Sequence, residues 1–224
     1  MFNPDSPLIS ALSKLADLII INLLFIICSI PIFTIGASWT AMYYVTVKMA
    51  KNEESYVTKD FFKSFKLNFR QATCIWLINL IVLSVMGMDV IIIARGIIGQ
   101  LPQPLLIVMI VMGVFVIAVM LYVYPVLSHF ENTVKNTIKN SFLLVISNFP
   151  YTLMFLAVTA VVIGLGFTDL GIKLLPVYIL LGISGPAYIC SLGWKRIFAK
   201  LEPKTDPAGE SDGKQEEETE PEQQ

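Results

Sequence analysis

Apolar residues are concentrated in runs of about twenty along this chain, and polar residues collect between the runs. A helix of about 20 apolar residues crosses the hydrocarbon core of a bilayer, which is roughly 30 Å thick. The pattern therefore predicts an all-α membrane protein, built as a bundle of about five transmembrane helices. The predicted spans are about 16–35, 72–94, 105–128, 150–167 and 172–194.

The first apolar run, from Leu15 to Val47, is too long for one span and too short for two spans with a turn between them. Pro31 and Gly36 both weaken a helix, so we expect a break in this region. The run then contains one span and a second helix, about 37–51. The Trp and Tyr side chains of that helix suit headgroup depth, which predicts an interfacial helix in the first cytoplasmic loop.

A basic stripe and an aromatic stripe run side by side along residues 58–70. The basic residues recur at spacings of four, three and four, and on a helix they fall within about 60° of arc. One interpretation is an amphipathic helix lying flat on the membrane, with its lysines near anionic headgroups. The other is a cytoplasmic helix packed on the bundle with a solvated basic edge. In either case the candidates for membrane-surface or partner contact are Lys59, Lys63, Lys66, Arg70, Phe61, Phe65 and Phe69.

The lysines and arginines alternate in number between successive connecting segments, as one, six, one, two, one and five. The positive-inside rule then places the N-terminus outside and the C-terminus in the cytoplasm. Residues 1–201 form one transmembrane domain. Residues 202–224 are rich in Glu, Gln, Pro and Gly and contain no aromatic residue, which predicts a disordered acidic tail.

Three polar residues fall inside the predicted spans and are candidates for an intramembrane polar site, namely Asp89, Asn22 and Asn79. A carboxylate near mid-span costs about 2.5–3.5 kcal/mol on insertion scales and often marks a pathway. Buried amides usually form hydrogen bonds between helices, so a structural contact is the favoured interpretation of the two asparagines.

Candidate chemistry is sparse elsewhere. His129 is the only histidine, and with Glu131 it supplies too few ligands for a structural zinc site. No cluster of His, Asp, Glu or Cys suggests catalysis, so we expect no enzymatic activity, no catalytic residues, no metal and no cofactor. The net charge of −1 combines basic connecting segments with an acidic C-terminal segment, and we expect no nucleic-acid partner.

Several strings of residues resemble the YesL-like family of integral membrane proteins, whose function is unknown. They are Ser29–Ala37, Asp60–Ala72, Phe130–Thr133 and Lys139–Phe142. The resemblance covers most of residues 1–200. It implies a multi-pass protein of the cell membrane of Gram-positive bacteria, often encoded beside carbohydrate-uptake and carbohydrate-degradation systems. It supplies no catalytic or ligand residues.

Two hypotheses for the function follow from these observations. The first is an accessory or scaffold component linked to carbohydrate uptake or sensing, whose partners are the lipid bilayer and subunits of a carbohydrate transporter or sensor. The alternative is a small solute transporter or channel, favoured by Asp89 and by the breaks in the first and fifth spans. A membrane enzyme acting on lipids or glycans is the least favoured.

Overall fold

The computed structural model describes residues 7–53, 55–96 and 102–201. These residues are almost wholly helical and include no β-strand. The helices are α1 (Pro7–Cys28), α2 (Ile35–Lys51), α3 (Val57–Ala94), α4 (Gln103–His129), α5 (Val134–Ser147), α6 (Phe149–Gly166), α7 (Asp169–Lys173), α8 (Leu175–Leu181) and α9 (Ser184–Leu201). The all-α prediction is confirmed, while the predicted tail lies outside the described residues.

Four stretches are long and apolar enough to cross a membrane, namely Ile9–Cys28, Val57–Ile93, Gln103–His129 and Phe149–Gly166. The pair α8 and α9 meets at 45° and gives up to a fifth span. The prediction of about five spans is therefore confirmed, and the expected kink near Gly182 coincides with the break between α8 and α9. Large apolar side chains are exposed along these helices, as lipid-facing surfaces require. The chain is a multi-pass membrane protein.

The first span ends earlier than predicted, because α1 stops at Cys28 rather than near residue 35. Pro31 follows, and residues Ile32–Thr34 form a short 3-10 turn. The backbone N–H of Thr34 donates to the carbonyl oxygen of Pro31 at 2.9 Å and closes this turn. The indole N–H of Trp76 donates to the carbonyl oxygen of Ile32 at 2.7 Å, so the turn is also held against α3.

Helix α2 lies at the centre of the bundle. Met42 is fully buried and Tyr43 is almost fully buried. The hydroxyl of Ser191 on α9 donates to the hydroxyl of Thr46 at 2.8 Å, and the Trp39 ring packs edge-on against Phe25 of α1. The prediction of an interfacial helix here is wrong, because these side chains contact other helices instead of headgroups. Its small and hydroxyl-bearing residues suit close approach between helices.

The predicted amphipathic segment and the second span form one continuous helix, α3. At 1.5 Å per residue its 38 residues extend about 57 Å, against a hydrocarbon core of about 30 Å. Residues 58–70 are therefore not a separate interfacial helix. Helix α2 packs along the first half of α3, from the Lys48–Asp60 ion pair to the contact of Gly36 with Ala72.

Several chain segments meet at one end of the bundle, here called the Lys48 end. The ammonium of Lys14 donates to the side-chain oxygen of Asn52 at 2.9 Å, which joins the beginning of α1 to the end of α2. Lys48 and Asp60 form an ion pair at 2.8 Å, which brings in the beginning of α3. Arg95 follows the opposite end of α3.

The ends of α4 and α9 also lie at the Lys48 end. His129 of α4 lines a cavity together with Lys48 and Lys51, and the Phe198 ring of α9 stacks on His129 at 4.2 Å. Lys14 therefore lies with the lysines of α2, whereas the charge alternation had placed them on opposite sides. Helix α2 runs back along α1, which brings its end to the beginning of α1. The membrane orientation inferred from the charge alternation stays a prediction.

A methyl group at Gly36 should destabilise the bundle. An added Cβ would lie 2.5 Å from the carbonyl oxygen of Ala72 and 2.7 Å from Cβ of Trp76, so the backbones must separate. We expect Gly36→Ala to lower the unfolding free energy by about 1–3 kcal/mol, the usual cost of overpacking. Gly87→Ala is the matched control, since a Cβ there meets nothing within 4 Å. Thermal unfolding in detergent measures both variants, and equal midpoints would contradict the close approach.

Lys14 and Lys51 should face the same side of the membrane, with Arg95 on the other. The measurement is labelling of single cysteines at these positions in sealed vesicles with a membrane-impermeant maleimide, after the native cysteines have been replaced. We expect Lys14→Cys and Lys51→Cys to react from one side and Arg95→Cys from the other. Labelling of Lys14→Cys together with Arg95→Cys would restore the orientation inferred from charge alternation.

Candidate functional site

Four exposed cations follow the outer side of the first half of α3. We call Lys59, Lys63, Lys66 and Arg70 the basic face. They occupy about 17 Å of helix at 1.5 Å per residue. Among the described residues, none of these four side chains makes a hydrogen bond or an ion pair. Their charges are therefore available to a ligand, a lipid or a partner.

The aromatic stripe of the same helix faces the bundle. Phe61 is fully buried, and its ring stacks on that of Phe65 with centroids 6.3 Å apart. The Phe65 and Phe69 rings follow at 5.6 Å, and both residues are half-buried against the core. The predicted surface contact is wrong for Phe61, because no headgroup or partner can reach it. A helix packed on the bundle with a basic edge fits this arrangement better than a helix lying flat on lipid.

The carboxylate nearest to the basic face already has partners. Asp60 accepts hydrogen bonds from Lys48 at 2.8 Å and from the Ser55 hydroxyl at 2.9 Å. The hydrogen bond with Asp60 raises the pKa of Lys48. Asp60 therefore fastens the beginning of α3 to the end of α2. Lys63 acts on Asp60 through its charge without forming an ion pair with it.

The surface of α1 beside the basic face carries one carboxylate, Asp17, among apolar residues. Asp17 and Ile20 of α1 line one cavity with Tyr56 and Lys59, so the two helices lie side by side at this level. Further along α1, Ile27 is 60% exposed. A cation in hydrocarbon costs about 2.5–3.5 kcal/mol even on insertion scales, so open lipid does not suit both surfaces. The basic face must meet water or an anionic counterpart.

Asn22 bridges the break between α8 and α9. Its side-chain oxygen accepts from the backbone N–H groups of Ile183 at 3.1 Å and Ser184 at 2.9 Å. Its amide nitrogen donates to the carbonyl oxygen of Ile179 at 2.7 Å. The break frees backbone groups that lipid cannot satisfy, and this one side chain satisfies three of them.

The other two intramembrane candidates lie elsewhere. The Asn79 amide donates to the hydroxyl of Tyr124 at 2.8 Å and joins α3 to α4. Asp89 is half-buried and lines a cavity of about 450 Å³ between the same helices, with Met86 and Met109 among its walls. The three residues predicted as one polar site therefore occupy three separate positions, and Asn22 and Asn79 make contacts between helices.

Two further cavities are lined by residues whose proximity was not predicted from the sequence. One of about 150 Å³ lies beside the helix break, with Trp39, Tyr43 and Cys190 in its apolar wall. Another of about 210 Å³ lies at the Lys48 end, where α2 and α4 contribute residues; its lining is Tyr44, Val47, Lys48, Lys51, Glu53, Ser128 and His129. Within the described residues, no group of three or more His, Cys, Asp or Glu side chains could hold a metal ion.

Comparisons with known proteins find one family model and one curated relative that resemble this chain. The family model described as "Protein of unknown function, DUF624" matches residues 18–90, which include the basic face. Uncharacterized protein YesL of Bacillus subtilis (strain 168) is 29% identical over 146 residues, covering 64% of this chain and 68% of that protein. No solved structure matches the chain.

Removal of the Asn22 side chain should destabilise the fold more than removal of the Asn79 side chain. Hydrogen bonds between membrane helices average about 0.6 kcal/mol, with a maximum near 1.7. Asn22 makes three hydrogen bonds to backbone groups, whereas Asn79 makes one to the Tyr124 hydroxyl. We therefore expect Asn22→Ala to lower the unfolding free energy by about 2 kcal/mol and Asn79→Ala to lower it by about 0.6 kcal/mol. Thermal unfolding measures the difference, and Tyr124→Phe should match Asn79→Ala. A milder effect at Asn22 would show that the break needs no bridge.

Proposed function

Because the chain belongs to the YesL-like family, whose function is unknown, we propose its function from the geometry of its own residues. We propose an accessory or scaffold component of the cell membrane that docks onto an acidic surface of a partner through the basic face. The observation that carries this proposal is the exposure of four unpaired cations on one side of a helix packed against the bundle.

The shape of α3 supports a docking role. Its apolar part, residues 72–94, extends about 35 Å and is long enough to cross the membrane. The remaining first part carries the basic face, and the inward phenylalanines and the Asp60 contacts hold it on the bundle. A rigid helix holds the backbone positions of the four residues in a fixed geometry, so little backbone ordering is added to the cost of binding.

The partner that fits the basic face carries several carboxylates. Cations at spacings of four, three and four residues on one helix side match a helix or loop with acidic side chains over a similar length. Such charge pairs raise the association rate and select the partner, while neighbouring apolar contacts supply much of the affinity. Leu67, which is 72% exposed between Lys63 and Arg70, offers such an apolar contact.

The proposed system is carbohydrate uptake or sensing. The resemblance to the YesL-like family supports this link, because its members are often encoded beside carbohydrate-uptake and carbohydrate-degradation systems. The partner would then be a transporter or sensor subunit with an acidic cytoplasmic segment. The basic face accordingly lies on the cytoplasmic side, where the positive-inside rule places lysine-rich segments.

A second candidate function is transport of a small uncharged solute. The specific observation is the broken helix α8–α9, bridged by Asn22, with an apolar cavity of about 150 Å³ beside it. Discontinuous helices often form binding sites at mid-membrane depth in transporters. The cavity has no charged residue in its wall, so an ion or a charged sugar does not suit it. Flux into liposomes that contain the purified protein tests this function.

Neutralisation of the basic face should release the partner. The protein is tagged and purified from gently solubilised native membranes, and the proteins that accompany it are identified by mass spectrometry. The variant carries Lys59→Gln, Lys63→Gln, Lys66→Gln and Arg70→Gln. We expect recovery of transporter or sensor subunits to fall at least about tenfold, since loss of four charge pairs worth a few tenths of a kcal/mol each amounts to about one decade.

The matched control changes four exposed lysines on other helices, namely Lys135→Gln, Lys139→Gln, Lys195→Gln and Lys200→Gln. It removes the same charge and should leave the recovery unchanged. Equal loss in both variants would indicate general electrostatics and no docking surface. Recovery of the protein alone from native membranes would favour transport.

A further inference from the structure

The acidic C-terminal segment is the most highly charged part of this chain. Residues 202–224 contain nine acidic residues and two lysines, for a net charge of −7. Seven of the acidic residues fall between positions 210 and 222, with only Lys214 among them. We call residues 202–224 the acidic segment.

We propose that the acidic segment binds the basic face of its own chain and competes there with the partner. This inference rests on the proposed function for its consequence, because occupancy by the segment would regulate docking. Binding itself depends only on charge complementarity, the length of the segment and the place where it leaves the bundle.

The point of departure lies at the same end of the bundle as the basic face. Leu201, the last described residue, lines a cavity with Phe130 at the end of α4. Phe198, which lies three residues earlier in α9, stacks on His129. His129 shares a cavity with Lys48, and Lys48 is paired with Asp60 in the first turn of α3. The end of α9, from which the acidic segment continues, and the beginning of the basic face thus lie at one end of the bundle.

The segment is long enough to reach. A chain of 23 residues can extend at most about 80 Å. The basic face begins at Lys59, next to Asp60, and is about 17 Å long. Since the segment is tethered, its local concentration at the basic face is of the order of millimolar. Even weak ionic contacts then give substantial occupancy.

The basic face is a better counterpart for the segment than the other exposed lysines. Its four charges share an arc of about 60°, and the nearest carboxylate is occupied by Lys48. On α5, only Lys135 and Lys139 are available, and the three cations near the end of α9 spread over about 140° of arc. A run of acidic side chains therefore meets the highest density of unpaired positive charge on α3.

Photo-crosslinking in the full-length protein tests the inference. Ser211→Cys, between Glu210 and Asp212, is labelled with benzophenone maleimide in a chain whose native cysteines have been replaced. The protein is held in nanodiscs of zwitterionic lipid, irradiated, and digested for mass spectrometry. We expect intramolecular crosslinks to residues 57–75. Their yield should fall at least about fivefold in 0.5 M NaCl, where the Debye length is only about 4 Å.

Two charge variants make the result specific. Reversal of the basic face (Lys59→Glu, Lys63→Glu, Lys66→Glu, Arg70→Glu) should abolish these crosslinks. Reversal of Lys135, Lys139, Lys195 and Lys200 to Glu should leave them in place. Crosslinks on α5 and α9, crosslinks only to lipid, or a yield indifferent to salt would each overturn the proposal.

The outcome is independent of the docking test. If crosslinks form on α3 but no partner is recovered from native membranes, the segment binds while the proposed function fails. If a partner is recovered but no crosslinks to α3 form, the function stands and the segment does not regulate it. If crosslinks to α3 form and a partner is also recovered, neutralisation of the seven acidic residues between 210 and 222 should raise the recovery of that partner.

Discussion

The fold depends on enclosing a helix that is not apolar enough to face lipid on its own. Helix α2 carries Thr40 and Thr46 in its buried surface, and both hydroxyls donate to carbonyl oxygens one turn earlier. Surrounding helices remove α2 from lipid, and Gly36 allows the backbone of α3 to approach it. The short 3-10 turn after Pro31 brings α2 back along α1. Because the chain reverses its direction at this turn, the beginning of α1 and the end of α2 lie together at the Lys48 end.

The contact between α2 and α3 also creates the surface on which the proposed function depends. Helix α3 turns Phe61, Phe65 and Phe69 toward the bundle, so its lysines and Arg70 face outward. The ion pair of Lys48 with Asp60 fixes the beginning of the helix and occupies the one carboxylate on it that lies near the basic face. The structural contacts therefore leave the four cations exposed and unpaired. A cationic surface of this kind beside an apolar helix is unsuited to open lipid.

Hydropathy and charge spacing predicted the helical spans, the break near Pro31 and the basic stripe, because each depends on residues close together in sequence. They could not predict the position of α2. Its composition is typical of an interfacial helix, and only contacts with α3, α4 and α9 distinguish a sheltered helix from a surface one. Neither pattern could predict the contact of Lys14 with Asn52, since it spans 38 positions. The partners of Asn22 are even more distant, near residue 183.

If the basic face lies outside the hydrocarbon and is covered by an anionic counterpart in the cell, a cysteine within it should be protected until that counterpart is removed. The most direct measurement is the rate at which Lys63→Cys reacts with a water-soluble maleimide, compared between native membranes opened to both sides and the purified full-length protein in 0.5 M NaCl. We expect slow labelling in native membranes and fast labelling after purification in high salt. Fast labelling in both would show that nothing covers the face, and slow labelling in both would place Lys63 in lipid or within the bundle.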